Sequence, residues 1–367
     1  MARFTPSTHY QHGDKQRTGI LITNLGTPAA PTAKALRPYL KEFLWDRRVV
    51  EIPRALWWLI LNGIILRLRP RKSADAYRTV WTDEGSPLAV ILKQQCEALK
   101  IKLQEHYGDD VRIEWAMRYG QPSVKKGIQS LIDQGASRLL VFPLYPQYSG
   151  TTTASTFDAV AKDYLDRRWI PELRFVNHYA DHDAYIEALA SSVREHWEEY
   201  GQPQKLVMSY HGLPQRYLHQ GDPYHCYCQL TSRLLAEKLG LSEDDYMVSF
   251  QSLFGKAEWL RPYTADKMKT LPAEGVKDIQ IICPGFSADC LETIEEIEEE
   301  NKDYFMEAGG ESFSYIPALN TRKDHIDMMM QIIESNLGGW QLASKESEQE
   351  ATKKAYKKCP RNHGTKP

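Results

Sequence analysis

The chain has 367 residues, a length that corresponds to about two ordinary domains. Its 42% hydrophobic content and formal net charge of -2 exclude a disordered chain and a nucleic-acid binder that relies on bulk positive charge. Six cysteines are too few for a disulfide scaffold. The first residues contain no apolar segment typical of a secretory signal, so we expect a cytoplasmic protein without nucleic-acid partners.

Short apolar runs of strand length alternate with longer amphipathic segments of helix length. The predicted strands are residues 19–25, 112–119, 138–145, 174–178, 205–211, 247–252, 278–286 and 312–317. The predicted helices are residues 32–44, 87–106, 124–134, 181–199, 226–239, 288–306 and 322–337. This alternation indicates an α/β fold with parallel sheets wrapped by crossover helices.

A charged, proline-containing link near residues 166–173 divides the chain into two halves. We predict an N-terminal α/β domain over residues 19–170, a C-terminal α/β domain over 171–320, and a helix at 321–342 that packs back on the body. Residues 1–18 are predicted to form a flexible arm. Residues 343–367, rich in Lys, Glu and Ser, are predicted to form a disordered tail.

The segment at residues 55–66 reads ALWWLILNGIIL and has basic residues on both sides. It is shorter than the roughly 20 apolar residues that span a bilayer. Two adjacent Trp residues and the basic flanks are typical of a helix in a membrane interface or at the rim of an apolar cleft. A buried core helix is the alternative.

His211 follows the apolar predicted strand LVMSY and precedes Gly212. Ligands in parallel α/β folds gather at the carboxyl ends of strands, and an imidazole there titrates near neutral pH. A histidine held by ordinary structural hydrogen bonds is the alternative.

Ser287 is a candidate N-cap for a helix that carries Glu292, Glu296 and Glu300 at four-residue spacing. Such a row of carboxylates can pass a hard divalent cation toward a site. The alternative is a solvated acidic face, which we assign to the neighbouring Glu295, Glu298 and Glu299.

Two further strand ends carry candidate binding residues. Tyr145, Ser149 and Thr151 form an aromatic and hydroxyl-rich turn that suits a flat, apolar ligand with polar edges. Arg118 ends another strand, where its guanidinium can bind a ligand carboxylate through two hydrogen bonds. A structural turn and a surface arginine are the alternatives.

Six motifs closely resemble those of the ferrochelatase family, proteobacterial type, in the order in which that family carries them. They are NLGTP (24–28), PLYPQYSGTTT (143–153), SYHGLP (209–214), FQS (250–252), EWLRP (258–262) and PGFSADCLETIEE (284–296). The resemblance spans residues 19–337. It implies two doubly wound, Rossmann-like, chelatase-type domains across a cleft. It also implies insertion of Fe²⁺ into protoporphyrin IX to form protoheme, by ring distortion and pyrrole deprotonation.

The resemblance implies roles for individual residues. His211 corresponds to the family's essential histidine and Glu292 to its essential acid, with Asp289 beside it as a further catalytic residue. His211, Glu292 and Glu296 are the implied metal contacts and path. Either His211 takes the protons while the acidic side delivers the metal, or the two sides have the reverse roles. The implied porphyrin-binding residues are Arg118, Tyr119, Tyr145, Ser149, Thr151, Trp259, Trp57 and Leu25.

The resemblance also implies that residues 49–72 form an active-site lip, which faces the membrane in some members; we therefore expect peripheral contact with the inner membrane. Animal members hold an iron–sulfur cluster through four cysteines, but Gly150 stands at one of those positions and Cys359 alone lies in the tail. We predict no cluster and no resident cofactor, Fe²⁺ being a substrate. Leu25 lies where some members carry a tyrosine. We expect a monomer or weak dimer.

Two other functions remain open from the sequence. A non-catalytic carrier of tetrapyrrole or heme would keep the cleft and lip but would not need His211 and Glu292 together. A related chelatase would insert a metal into a different tetrapyrrole.

Overall fold

The computed structural model describes residues 4–5, 16–255 and 257–340, so the predicted tail and nearly all of the predicted arm lie outside the described residues. Two four-stranded parallel sheets form the body. The first contains β1 (Arg17–Gly26), β2 (Val111–Tyr119), β3 (Ala136–Pro143) and β4 (Glu172–Phe175). The second contains β5 (Lys205–His211), β6 (Tyr246–Gln251), β7 (Asp278–Ile282) and β8 (Ser312–Ile316). The predicted doubly wound α/β fold is confirmed.

Both sheets have the same strand order. The first runs β2-β1-β3-β4 and the second β6-β5-β7-β8. In each sheet the chain therefore runs from the first strand in sequence (β1 or β5) to the edge strand beside it. It then crosses back to the third and fourth strands, which lie on the other side of the first. β4 pairs with β3, so the first sheet extends beyond residue 170, to Phe175.

The helices connect the strands in the predicted alternation. They are α1 (Ala33–Trp45), α2 (Arg54–Ile60), α3 (Leu66–Val80), α4 (Pro87–Tyr107), α5 (Val124–Asp133), α6 (Ser155–Leu165), α7 (Asp183–Tyr200), α8 (Gln215–His219), α9 (Tyr224–Leu239), α10 (Thr264–Thr270), α11 (Leu291–Thr293), α12 (Lys302–Glu307) and α13 (Lys323–Leu337). The sequence patterns missed α3, α6, α8 and α10. The terminal helix α13 packs on α4 and α7.

The central strands β1, β3, β5 and β7 are largely buried on both faces, which explains their nearly continuous apolar runs. In β1, Ile20 and Ile22 face one apolar cluster while Leu21 between them faces another. The cluster that contains Ile20 and Ile22 also contains Leu206 and Met208 of β5. A single apolar core thus joins the two sheets and determines how their strand ends face each other.

The described part of the chain contains three π-helical segments, at Leu61–Ile65, Gly150–Ala154 and Ile294–Asn301. The first joins α2 to α3 within the lip, the second precedes α6, and the third joins α11 to α12. Such segments often occur at functional sites. The third replaces the regular helix that the sequence predicted for residues 288–306.

The lip (residues 49–72) has one face in the core and one in solvent. Trp57, Leu61 and Leu66 are buried. Five large apolar side chains on the same segment are exposed: Leu56, Trp58, Leu59, Ile64 and Leu68. The segment therefore packs one apolar face in the core, as a core helix does, and leaves a second apolar face exposed. None of the described helices has the length and apolar character needed to cross a membrane.

Candidate active site

One cavity lies where the carboxyl ends of the two sheets meet, with a volume of about 810 Å³ including the space open to solvent. In each sheet the chain leaves two adjacent strands in opposite directions, β1 and β3 in the first and β5 and β7 in the second. Ligands of open α/β sheets bind at such switch points. Leu25 of β1, Leu144 after β3, His211 of β5 and Gly285 after β7 all line the cavity. The molecule therefore brings two switch points to one cavity.

His211 lines the cavity, and one nitrogen of its imidazole is hydrogen-bonded to the backbone. Its Nδ1 lies 2.7 Å from the backbone oxygen of Gly212. A carbonyl oxygen only accepts, so Nδ1 carries the proton and the lone pair of the neutral ring lies on Nε2. His211 therefore presents a proton acceptor that its own backbone orients.

Glu292 lines the same cavity, on the first turn of the helical segment that follows β7. Glu296 lies farther along this segment, and its carboxylate accepts hydrogen bonds from the backbone N–H of Ser252 (2.6 Å) and from the Ser252 hydroxyl. Glu300 is exposed and accepts a hydrogen bond from Tyr304. The three carboxylates thus run from the surface to the cavity wall, with Glu292 on α11 and the other two on the π-helical segment that follows it.

The environment of Glu296 shifts the pKa of its carboxyl. Burial raises its pKa above the usual value, and the negative charge of Glu292 acts in the same direction. The hydrogen bonds from Ser252 and the charge of His211 oppose the shift without cancelling it. Glu296 therefore senses both cavity residues and holds a proton more readily than an exposed glutamate.

Gln251, at the end of β6, links the two sides of the site. Its backbone oxygen accepts from Gly212 N at 2.7 Å, directly after His211. Its side-chain Nε2 donates to the backbone oxygen of Glu292 at 2.7 Å, and Ser209 Oγ donates to its Oε1 at 2.8 Å. One buried side chain thus ties the His211 strand to the Glu292 helix.

The opposite wall carries hydroxyl groups. Tyr77, Tyr145 and Thr152 line the cavity. Burial, and then the charge of Glu292, raises the pKa of the Tyr77 phenol, which therefore stays protonated. The Thr152 hydroxyl is buried without a hydrogen-bond partner among the described residues. Such a group is costly to bury unless a ligand or water satisfies it.

Asp289 does not reach the cavity. Its carboxylate accepts hydrogen bonds from Thr293 Oγ1 (3.0 Å), Tyr315 (2.7 Å), Ala318 N (3.3 Å) and Asn320 Nδ2 (2.6 Å). Four donors hold this carboxylate behind the wall, so the geometry gives it a positioning rather than a catalytic place.

The predicted N-cap at Ser287 is wrong. The helical segment begins at Leu291 with Cys290 as its N-cap. Ser287 instead lines the cavity, where its hydroxyl accepts from Asn24 Nδ2 (3.2 Å) and its backbone oxygen from Gln95 Nε2 (2.9 Å). These bonds fasten the loop after β7 to the first sheet and to α4, and no local sequence pattern indicates them.

Arg118 and Tyr119 belong to a buried polar cluster outside the cavity lining. Arg118 forms an ion pair with Asp46 (2.5 Å), and the Tyr119 hydroxyl donates to the same carboxylate (2.8 Å). Burial alone would raise the pKa of Asp46, but the hydrogen bonds from Ser155 and these neighbours lower it. The Arg118 guanidinium is thus already paired within the protein, whereas the sequence analysis expected it to be free to bind a ligand carboxylate.

Four other predicted porphyrin contacts also lie outside the cavity lining. Ser149 Oγ accepts from Thr151 N at 3.1 Å and caps the second π-helical segment. Trp57 is buried and donates from Nε1 to Leu44 O at 2.7 Å, whereas Trp58 is exposed. Trp259 donates to the backbone oxygen of Phe254 at 2.9 Å. Leu25 and Tyr145 do line the cavity.

Several of the lining residues were not predicted from the sequence to be binding or catalytic residues. They are Asn24, Tyr77, Gln147, Thr152, Tyr224, Phe286, Ser287 and Cys290. Six of them lie in the motifs quoted above. Their positions in those motifs did not show which side chains line the cavity and which are buried in the core. Tyr77 lies on the missed helix α3. Within residues 16–255 and 257–340, no three His, Cys, Asp or Glu side chains converge on a point that a metal ion could fill.

Gly212 allows β5 and β6 to approach at the site. A Cβ added there would lie 2.7 Å from the Gln251 carbonyl oxygen and 3.2 Å from the Trp259 ring. We expect Gly212→Ala to lower the free energy of unfolding by about 1–3 kcal/mol, as measured by urea denaturation. Gly63→Ala is the control, because nothing lies within 4 Å of its added Cβ. Equal stabilities of the two variants would contradict the prediction.

Several known proteins are similar to this chain over most of its length. A family model described as ferrochelatase matches residues 17–337. A ferrochelatase of Teredinibacter turnerae is 58% identical over 361 residues, which cover 98% of this chain and 99% of that protein. A ferrochelatase of Marinobacter nauticus is 58% identical, over 91% of this chain and 90% of that protein. A ferrochelatase of Hydrogenovibrio crunogenus is 60% identical, over 91% of this chain and 89% of that protein. The chain belongs to the ferrochelatase family.

Proposed function

We propose that the cavity inserts Fe²⁺ into protoporphyrin IX to form protoheme, as a ferrochelatase of heme biosynthesis. One observation carries the proposal. His211, at the end of β5, and Glu292, after β7, line one cavity at the facing switch points of the two sheets. A non-catalytic carrier would not need a base and an acid in the same wall.

The reaction releases two pyrrole protons for each Fe²⁺ that binds the ring nitrogens. The Nε2 lone pair of His211 accepts these protons and passes them to solvent, because its Nδ1 proton is held by Gly212 O. The walls hold the macrocycle bent, which exposes nitrogen lone pairs that a flat ring hides. Only a cavity that favours the bent ring over the flat one accelerates the step.

Iron enters along the acidic row in this proposal. Glu300 is exposed, Glu296 lies behind Ser252, and Glu292 lines the cavity. Carboxylate oxygens bind hard divalent cations. We therefore assign metal delivery to the Glu292 side and proton removal to His211, with Asp289 as a positioning residue.

The direct test is an anaerobic assay of the purified protein with Fe²⁺ and either protoporphyrin IX or coproporphyrin. We expect iron insertion into protoporphyrin IX. Porphyrin binding without metallation would favour the carrier. Turnover of a different tetrapyrrole alone would favour the related chelatase.

A site of nitrogen and oxygen donors does not select iron by affinity, since divalent affinities rise from Fe²⁺ to Cu²⁺ and favour Zn²⁺ over Fe²⁺. We expect Zn²⁺ and Co²⁺ to be inserted in vitro as well, which porphyrin fluorescence and absorbance measure directly. Turnover of Fe²⁺ alone, in anaerobic competition with the other two metals, would contradict this.

We also propose that the protein is cytoplasmic, a monomer or weak dimer, and peripheral on the inner membrane through the lip. No resident cluster is part of the proposal. The exposed apolar side chains of the lip lie beside Arg67, Arg71 and Lys72. Apolar groups that enter the interface and cations that attract anionic headgroups together bind a membrane surface.

Trp58→Ala tests this contact, because Trp58 is 55% exposed and its loss leaves the core intact. We expect about tenfold weaker binding to anionic phospholipid vesicles in a sedimentation assay, with an unchanged thermal midpoint. Leu165→Ala is the control, since Leu165 is 76% exposed on α6, away from the lip. Equal vesicle binding by wild type and the Trp58 variant would exclude the lip as the contact.

A further inference from the structure

The carboxylate of Asp222, in the loop between α8 and α9, joins the two halves of the molecule. Its Oδ2 accepts from the backbone N–H of Gly150 at 2.7 Å and from the Ser149 hydroxyl at 3.1 Å. Gly150 begins the π-helical segment before α6, in the N-terminal half, and Ser149 is the N-cap of that segment. A single charged side chain of the second half thus holds this segment of the first.

The approach of this carboxylate depends on the residue opposite it. A Cβ added to Gly150 would lie 3.3 Å from Asp222 Oδ2. That distance is tighter than ordinary van der Waals contact, so a larger side chain would push the carboxylate away. The segment held in this way carries Thr152, which lines the cavity and whose buried hydroxyl has no hydrogen-bond partner in the part of the chain that the structure describes.

The second oxygen of Asp222 leads to His211. Asp222 Oδ1 accepts from the backbone N–H of Tyr224 at 3.0 Å. The Tyr224 phenol then donates to the backbone oxygen of His211 at 3.0 Å, and Tyr224 itself lines the cavity. Burial raises the pKa of this phenol well above its usual value, so it remains a donor. The path from the π-helical segment to His211 is continuous: Gly150, Asp222, Tyr224, His211.

We propose that Asp222 is a positioning residue for the metallation step: through Tyr224 it sets the place of the His211 imidazole relative to the opposite wall that carries Thr152. The inference rests on the proposed function, since it assigns a part to a residue of that same site. Asp222 does not line the cavity, so it acts through Tyr224 rather than on the porphyrin. A base displaced by a fraction of an ångström to an ångström loses much of its effect on rate.

The experiment is a double-mutant cycle on the full chain with Asp222→Asn and Tyr224→Phe. Asparagine keeps the shape of the side chain, but its amide nitrogen cannot accept a hydrogen bond, and Tyr224→Phe removes one hydroxyl. We expect each variant to lower kcat for iron insertion by about tenfold or more, with porphyrin affinity within about threefold of wild type. Because both substitutions act on the same path, kcat of the double variant should lie within about twofold of kcat of Asp222→Asn.

Two outcomes would overturn the inference: an unchanged kcat for Asp222→Asn, or single effects that multiply in the double variant. If Asp222→Asn fails to fold, Ser149→Ala, which removes one donor without a charge change, replaces it in the same cycle. Asp245→Asn is the matched control, because Asp245 accepts from Ser242 (2.8 Å to N, 2.6 Å to Oγ) before β6, at the opposite end of the sheet from the site. A wild-type protein without activity would instead refute the proposed function.

Discussion

His211→Ala is expected to lower the rate of iron insertion by between about 100- and 10,000-fold, the usual contribution of a positioned general base. The variant removes the Nε2 acceptor and also the Nδ1 donor to Gly212 O. Porphyrin binding, measured by fluorescence quenching, should change little, because the aromatic and hydroxyl walls remain. A loss of kcat at nearly constant affinity identifies a group that acts in the transition state.

The control for this variant is His219→Ala. His219 is exposed at the end of α8 and does not line the cavity. Its loss should leave the rate unchanged. Near-normal turnover by His211→Ala would show that another group, or solvent, takes the pyrrole protons.

Glu292→Gln is expected to lower kcat for Fe²⁺ by about 100-fold or more, because the substitution keeps the shape of the side chain while it removes the charge that faces the cavity. If Glu292 delivers the metal, the apparent affinity for Fe²⁺ should fall as well. Steady-state kinetics at varied Fe²⁺ and saturating porphyrin measures both effects.

Glu299→Gln provides a control with the same substitution on the same helical segment. Glu299 is exposed, and neither it nor its neighbour Glu298 lines the cavity. The rate and the Fe²⁺ dependence should match wild type. If Glu292→Gln leaves both quantities unchanged, the acidic path is wrong and the metal enters from another side.

The site arises from the repetition of one strand order. Each sheet alone has a crevice at its switch point, and the shared core turns the two crevices toward each other. The first sheet contributes mainly apolar and hydroxyl groups, such as Leu25 and Tyr145, whereas the second contributes His211 and Glu292. In the proposed mechanism, the first group of residues contacts the macrocycle and the second transfers protons and metal.

The amino-acid sequence by itself predicted the strands, the alternation with helices and the position of His211 at a strand end. These features depend on apolar periodicity and on residue order, which are local properties of the chain. The motifs that identify the family are likewise continuous segments. For the same reason Glu292 could be placed near the carboxyl end of β7 without a structure.

Only the tertiary structure decided which strand-end residues face the cavity. Arg118 and Asp289 carry the right chemistry, but Asp46 and Asn320, distant in sequence, already bind them. The sequence did not indicate Gln251 or Asp222, because both act through hydrogen-bond partners that are distant in sequence. A side chain's own type and neighbours in sequence do not specify which distant donors and acceptors satisfy it; the packing of the two sheets does.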